Sequence, residues 1–112
     1  MRILIPIEEN KGEESKLAWH FGRAPFFAIF DTERNELKII ENKSEFFGGM
    51  GKTAEVVLKY KPDVVFVKGI GPRAIDLLKS QGIKIVTGNY SSVKEVLTNR
   101  EKLKELEKAC KD

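Results

Sequence analysis

A chain of 112 residues, 41% hydrophobic and 9% aromatic, is long enough for one core and too rich in apolar side chains to be disordered. Its 20 basic and 17 acidic residues leave a net charge of +3, which suits small anionic ligands and argues against nucleic acid, where a denser basic stripe is needed. With Cys110 as the one cysteine, an internal disulfide and a C-x-x-C zinc site are excluded. No apolar run is long enough to cross a bilayer, so a cytoplasmic protein forming a single unit over residues 1–112 is expected.

The chain opens on a β-branched run, residues 2–7, which reads as a buried strand. Residues 8–20 form a polar stretch without an apolar period. Phe26 to Phe30 is a second strand, and a polar turn from Asp31 to Asn35 leads into a third, Leu37 to Ile40. Phe46 to Gly51 is a loop, followed by a helix from about Lys52 to Lys61 with Ala54, Val57 and Leu58 on its apolar face. Val64 to Val67 is a fourth strand. Pro72 suits the first position of a second helix, whose buried stripe is Ala74, Ile75, Leu77 and Leu78. Gly82 fits the left-handed position that closes that helix, and Ile83 to Val86 is the fifth strand. Ser92 and Glu95 have the spacing of a capping box at the start of a third helix. From Arg100 on, Leu103, Leu106 and Cys110 make a thin helical stripe. Helical crossovers call for parallel neighbours, so the expectation is an α/β fold built on a five-stranded mixed sheet with one antiparallel strand.

Strand directions then place Gly12, Gly22, Gly48, Gly49, Gly51, Gly69, Gly71 and Gly88 at one rim, leaving only Gly82 at the other end. Ligands of open α/β sheets bind outside the carboxyl ends of the strands. Helix starts near Lys52, Pro72 and Ser92 bring N–H groups and partial positive charge to this rim, and Arg23, Lys52, Lys68 and Arg73 add formal charge. His20, the one histidine, opens the run His20-Phe21-Gly22-Arg23-Ala24-Pro25 at the same edge. Imidazole is suited to metal ligation and to proton transfer near neutral pH. The rim reads as an anion site. Residues 8–20 and 43–51, polar and glycine-bearing, are expected to be its least stable parts.

Two familiar chemistries do not fit. Gly49-Met50-Gly51-Lys52-Thr53 ends like a phosphate-binding loop, but Phe46 stands where the pattern needs its first glycine. A two-metal nuclease needs carboxylates on its central strands; the first strand holds none, and Asp63 lies at the wrong end of the fourth.

The run from His20 to Phe27, a Gly-Gly loop before a helix, and Gly69-Ile70-Gly71-Pro72-Arg73-Ala74 together resemble the dinitrogenase iron–molybdenum cofactor biosynthesis family. That family includes NifX-like proteins, the C-terminal domain of NifB and the orange protein. The resemblance implies a ribonuclease H-like fold and non-catalytic, reversible carriage of an anionic metal–sulfur cluster or its precursor, with other cofactor-assembly proteins as partners. It marks His20 as the candidate metal and cluster contact, and Gly22, Arg23, Gly69, Gly71 and Arg73 as shaping the pocket. Gly49, Gly51 and Lys52 join them at the rim. Lys68 is a departure, since the family more often has a small residue there. Ligation of an iron–sulfur cluster by four cysteines of this chain is excluded. A phosphorylated ligand at the same rim, or a docking scaffold without ligand, are the alternative readings.

Overall fold

The structure, a computed structural model, describes residues 1–42 and 50–106. Its strands are β1 (Arg2–Ile7), β2 (Phe26–Asp31), β3 (Glu36–Glu41), β4 (Val64–Phe66), β5 (Lys84–Thr87) and β6 (Lys104–Glu105). The helices are α1 (Met50–Lys59), α2 (Pro72–Ser80) and α3 (Val93–Thr98). One sheet holds all six strands in the order β3-β2-β1-β4-β5-β6. β1, β4 and β5 run parallel, whereas β2 pairs antiparallel with both β1 and β3. β6 pairs antiparallel with β5. The sheet therefore has six strands, two of them reversed, where the sequence suggests five and one.

The extra strand comes from the tail. Leu103 and Leu106, three residues apart, read equally well as a helical stripe or as opposite faces of an extended segment. The second arrangement is the one adopted: Leu103 packs on the core cluster beneath α3, Leu106 on the cluster beneath α1 and α2. The Leu106 N–H donates to the Ile85 carbonyl at 2.8 Å, which seals the edge of β5. Cys110, placed on the same stripe by its spacing, lies outside the described residues.

Helices on both faces explain why β1 is apolar at every position from Ile3 to Ile7. Ile3, Ile5 and Ile7 join Val93, Val96 and Leu97 of α3 on one side. Leu4 joins Ala54 and Val57 of α1 and Ala74, Ile75 and Leu78 of α2 on the other. Helix α2 begins on Pro72 and ends in a Schellman motif. Gly82, at φ +77°, donates to the Lys79 carbonyl at 3.0 Å, and Ile83 donates to that of Leu78 at 3.1 Å.

The polar stretch 8–20 is not the loose lip its composition suggests. Ser15, Leu17 and Ala18 are buried, and the segment is stitched to the body. Glu8 N–H donates to the Lys16 carbonyl, Leu17 N–H to Ser91 and Ala18 N–H to Pro6. Val93 N–H returns the link by donating to the Ser15 carbonyl. The apolar anchors are too few to make a period, but backbone pairing supplies what periodicity lacks. The companion segment, 43–49, lies outside the described residues.

Helix α3 has Ser92 as the N-cap its spacing implies, with Glu95 answering it through hydroxyls. Ser92 Oγ accepts from the Glu95 N–H at 3.3 Å, while the Glu95 carboxylate accepts from the hydroxyls of Ser91 at 2.6 Å and Ser92 at 3.3 Å. The Ser91 hydroxyl bond is the main reason that the Glu95 carboxyl lies below its ordinary value of 4.5. A depressed carboxyl stabilises the fold above its unfolded pKa and loses that contribution as pH falls through the folded value. Replacing Ser92 with alanine is expected to lower the unfolding free energy by about 1 kcal/mol. Urea titrations between pH 3 and 7 check both points: the Ser92→Ala loss appears at neutral pH, and Glu95→Gln flattens the acid limb.

Candidate functional site

Register decides which loops share an end of the sheet. Ile7 stands opposite Phe26, Phe26 opposite Glu41, Phe66 opposite Val86, and Thr87 opposite Lys104. The strand ends at Ile7, Glu41, Phe66 and Thr87 therefore lie on one rim, and α1, α2 and α3 all start from it. At that rim the two glycine-bearing runs meet directly. His20 and Gly69 form a parallel bridge, and the Phe21 N–H donates to the Gly69 carbonyl at 3.0 Å.

Phe21–Arg23 is a single 3-10 turn with His20, extended at φ −110° and ψ 116°, as its N-cap. Phe21 is buried as the turn's anchor, whereas His20 and Arg23 are exposed. Two buried polar side chains hold the turn from below. Thr53 Oγ1 donates to the Gly22 carbonyl at 3.2 Å, and Asn42 Nδ2 donates to the Ala24 carbonyl at 2.7 Å. The Asn42 N–H adds a bond to the Pro25 carbonyl at 2.9 Å. The backbone from Phe21 to Pro25 is thus fixed by three separate neighbours, while the side chains of Arg23 and of the preceding His20 are exposed.

Strand alternation sorts the apolar residues by face. Val65 and Val67 belong to the core under α1 and α2, Val64 and Phe66 to the core under α3. Beyond Val67 the chain bends at Lys68, and Ile70 returns to the core under α1 and α2, so the alternation stops there. The neighbouring segment has Leu17 in the α3 core and Ala18 in the other, then bends at Trp19. Trp19 accompanies Lys68 by direct contact, and His20 accompanies Gly69 through their bridge. The Lys68 ammonium lies 4.4 Å from the centroid of the Trp19 ring. Glu95, lowered first by the Ser91 hydroxyl, also feels the charge of Lys68.

On the α1/α2 side, Gly71 is the N-cap of α2 and Arg73 is exposed in its first turn. Gly51 and Lys52 belong to the first turn of α1; their side-chain surroundings, and Gly49 entirely, lie outside the description. Neither α1 nor α2 has an acidic residue in its first turn, and among the described residues no side chain caps α2. Among the described residues, the α2 start is thus left electropositive and the first turn of α1 carries no acid, while α3 neutralises its own start with Ser92 and Glu95. Not every glycine at this rim is part of the same surface. Gly12 sits in the 8–20 segment that packs on α3 and β3, and Gly88 makes room for the Tyr90 ring, 2.5 Å from where its Cβ would be. Gly22 has open space beside it. An open hollow between Lys79, Gly82, Ile83, Lys84 and Glu105 lies at the opposite end of the sheet, remote from His20.

Among the described residues, no three His, Cys, Asp or Glu side chains come together as a metal-binding group, and no helix is long and apolar enough to cross a membrane. The fold and rim define a class: an α/β protein with a six-stranded mixed sheet whose strand ends present one imidazole, arginines and two helix starts with acid-free first turns. Within that class, the chain belongs to the family described as dinitrogenase iron-molybdenum cofactor, which it matches over residues 1–103. It is 33% identical over 102 residues to an uncharacterized protein of Methanocaldococcus jannaschii, covering 87% of this chain and 82% of that one. The crystal structure of PH0822 is 32% identical, covers 95% of this chain and 96% of its own, and has a TM-score of 0.80. The apo form of the orange protein from Desulfovibrio gigas shares the fold at a TM-score of 0.87, with 22% identity over 98% of this chain and 96% of that one.

Sequence reading did not single out Thr53, Asn42 or the pairing of Trp19 with Lys68. The signal for the first was present: Thr53 is a polar residue one helical turn before Val57 on the apolar face of α1. Replacing Thr53 with valine is expected to lower stability by roughly 1–2 kcal/mol, by leaving the Gly22 carbonyl without its hydroxyl donor. Amide exchange checks the location: Arg23 should exchange faster while Val65 and Ile85 keep their protection.

Proposed function

We propose that the chain binds an anionic metal–sulfur cluster, or its precursor, on the α1/α2 side of this rim and releases it intact, as a carrier in iron–molybdenum cofactor assembly rather than a catalyst. The observation that carries this reading is the junction of His20 with Gly69 beside an acid-free, uncapped α2 start bearing Arg73. In this reading His20 supplies the neutral imidazole that ligates an exposed metal. Arg23, Lys52 and Arg73 balance the negative charge. Gly22, Gly49, Gly51, Gly69 and Gly71 allow bulky sulfide edges to approach the backbone. Arginine offers forked donors without hydrolysing or oxidising what it holds, which suits a cargo that must leave again. Membership of the family supports the ligand class. The strand order β3-β2-β1-β4-β5 supports a ribonuclease H-like ancestry for the scaffold. We further infer that residues 1–112 act as one unit in the cytoplasm, where donor and acceptor assembly proteins dock at the loaded rim.

Anaerobic titration with tetrathiomolybdate, followed by its visible absorption, tests this. His20→Ala and Arg73→Met are each expected to weaken binding about tenfold or more, the scale of one charge-assisted contact, with the fold intact. Affinity should fall steadily between about 0.01 and 1 M salt, as the Debye length shrinks from about 30 to about 3 Å. Acidification should weaken binding if an imidazole nitrogen ligates metal, because the proton and the metal compete for it. It should strengthen binding if the imidazole acts by charge alone. Undiminished uptake by both variants would overturn the site, and equal competition by phosphate would favour a phosphorylated ligand instead.

A further inference from the structure

Trp19 is the chain's one tryptophan and is 60% exposed, an unusual place for so large an apolar ring. It is not idle there. It stands one register step before the His20–Gly69 bridge, directly beside Lys68, whose ammonium lies over its face at 4.4 Å. The charge of Lys68 is felt by Glu95 at the start of α3, whereas the turn that follows His20 packs on α1 through Thr53. Upstream, the segment is tied by Leu17 to Ser91 and by Ala18 to Pro6; downstream it is tied by Phe21 to Gly69. Trp19 and His20 fall between those ties. The Glu95 carboxylate, itself fixed by two serine hydroxyls at the start of α3, feels the charge of this ammonium.

We propose that Trp19 and Lys68 form a clasp across the two rim segments, making both of them positioning residues that hold His20 in register beside Gly69. The clasp gives Lys68 a purpose other than added charge for the ligand. Its ammonium is turned to the α3 side and partly balanced by Glu95, so it affects an anion on the α1/α2 side through the placement of His20. The ligand part of this inference rests on the cluster-binding reading above; the clasp itself does not.

The experiment uses Trp19→Leu, Lys68→Met, the double variant and Lys68→Arg, with two readouts. The first is exchange of the Phe21 amide, which reports its bond to Gly69. Loss of the clasp should speed it about three- to fivefold, the scale of an exposed cation–π contact. Trp19→Leu, Lys68→Met and the double variant should show the same acceleration, since either single change already removes the shared contact. Lys68→Arg should match wild type, and Val65 and Ile85 should not change in any variant. The second readout is tetrathiomolybdate affinity. Trp19→Leu, which retains the lysine's charge, should lose as much as Lys68→Met, and Lys68→Arg should lose nothing.

Unchanged Phe21 exchange, or effects that simply add, would overturn the clasp. Affinity lost in Lys68→Met but kept in Trp19→Leu would mean that Lys68 acts by charge, and would overturn the positioning role. A wild-type protein that takes up no thiometallate would remove the cluster reading and the ligand role together. The Phe21 exchange pattern would still decide whether the clasp sets the register.

Discussion

The bond from the Phe21 N–H to the Gly69 carbonyl is the contact on which the rest of the rim depends. It joins segments separated by more than forty residues, and it can form only because β1 and β4 are parallel neighbours whose carboxyl ends share an edge. Once made, it determines where the 3-10 turn at Phe21–Arg23 sits. Thr53 and Asn42 then fix that turn from α1 and from the end of β3. Each of these partners is buried, and each meets a backbone carbonyl. The backbone is therefore ordered from beneath, and the side chains of His20 and Arg23 lie exposed above it. A preorganised backbone with exposed polar side chains is the arrangement expected of a binding surface, because little conformational entropy remains to be lost on association.

Electrostatics divides the same rim into two unlike halves. On the α3 side the helix start is capped by Ser92, its first turn carries Glu95, and Lys68 is occupied by Trp19 and by the field of that carboxylate. Charge there is internally balanced. On the other side, α1 and α2 begin without acidic residues, and Arg23 and Arg73 are exposed close to those starts. Among the described residues, no ion pair to Arg23 or Arg73 offsets that charge. Anions gain from N–H groups and partial positive charge at a helix start, and an acid-free first turn leaves that gain to an external ligand. In the proposed function this asymmetry gives the cluster one face to occupy, and leaves the other for holding the segment that carries His20.

Much of this was legible in the sequence because it follows from short-range chemistry. Pro72 at a helix start, Gly82 at a helix close and Ser92 at an N-cap each specify local geometry on their own, and all three have the expected roles. The convergence of His20 with Gly69 also followed, since strand directions alone bring the two loops to one end. What could not be read depended on ambiguous spacing or distant partners. A separation of three between Leu103 and Leu106 fits a helix and an extended strand alike, and only the open edge of β5 decides between them. The 8–20 segment gains its order from Pro6, Ser91 and Val93, none of them marked by a pattern, and the last two lie more than seventy residues away. Lys68 reads as pocket charge because the net positive rim is visible, but its direction is set by a bend beyond β4 and by its contact with Trp19, which no spacing announces.

The central claim is that a metal–sulfur anion occupies the α1/α2 side of the rim. Amide chemical-shift mapping of the isotopically labelled, full-length protein with tetrathiomolybdate added anaerobically tests it most directly. The shifts are expected to concentrate at His20 to Arg23, Gly69 to Ala74 and the first turn of α1, with little change at Lys79 to Lys84 or along α3. Shifts centred on α3 or on the far end of the sheet, with His20 to Arg23 unmoved, would contradict it.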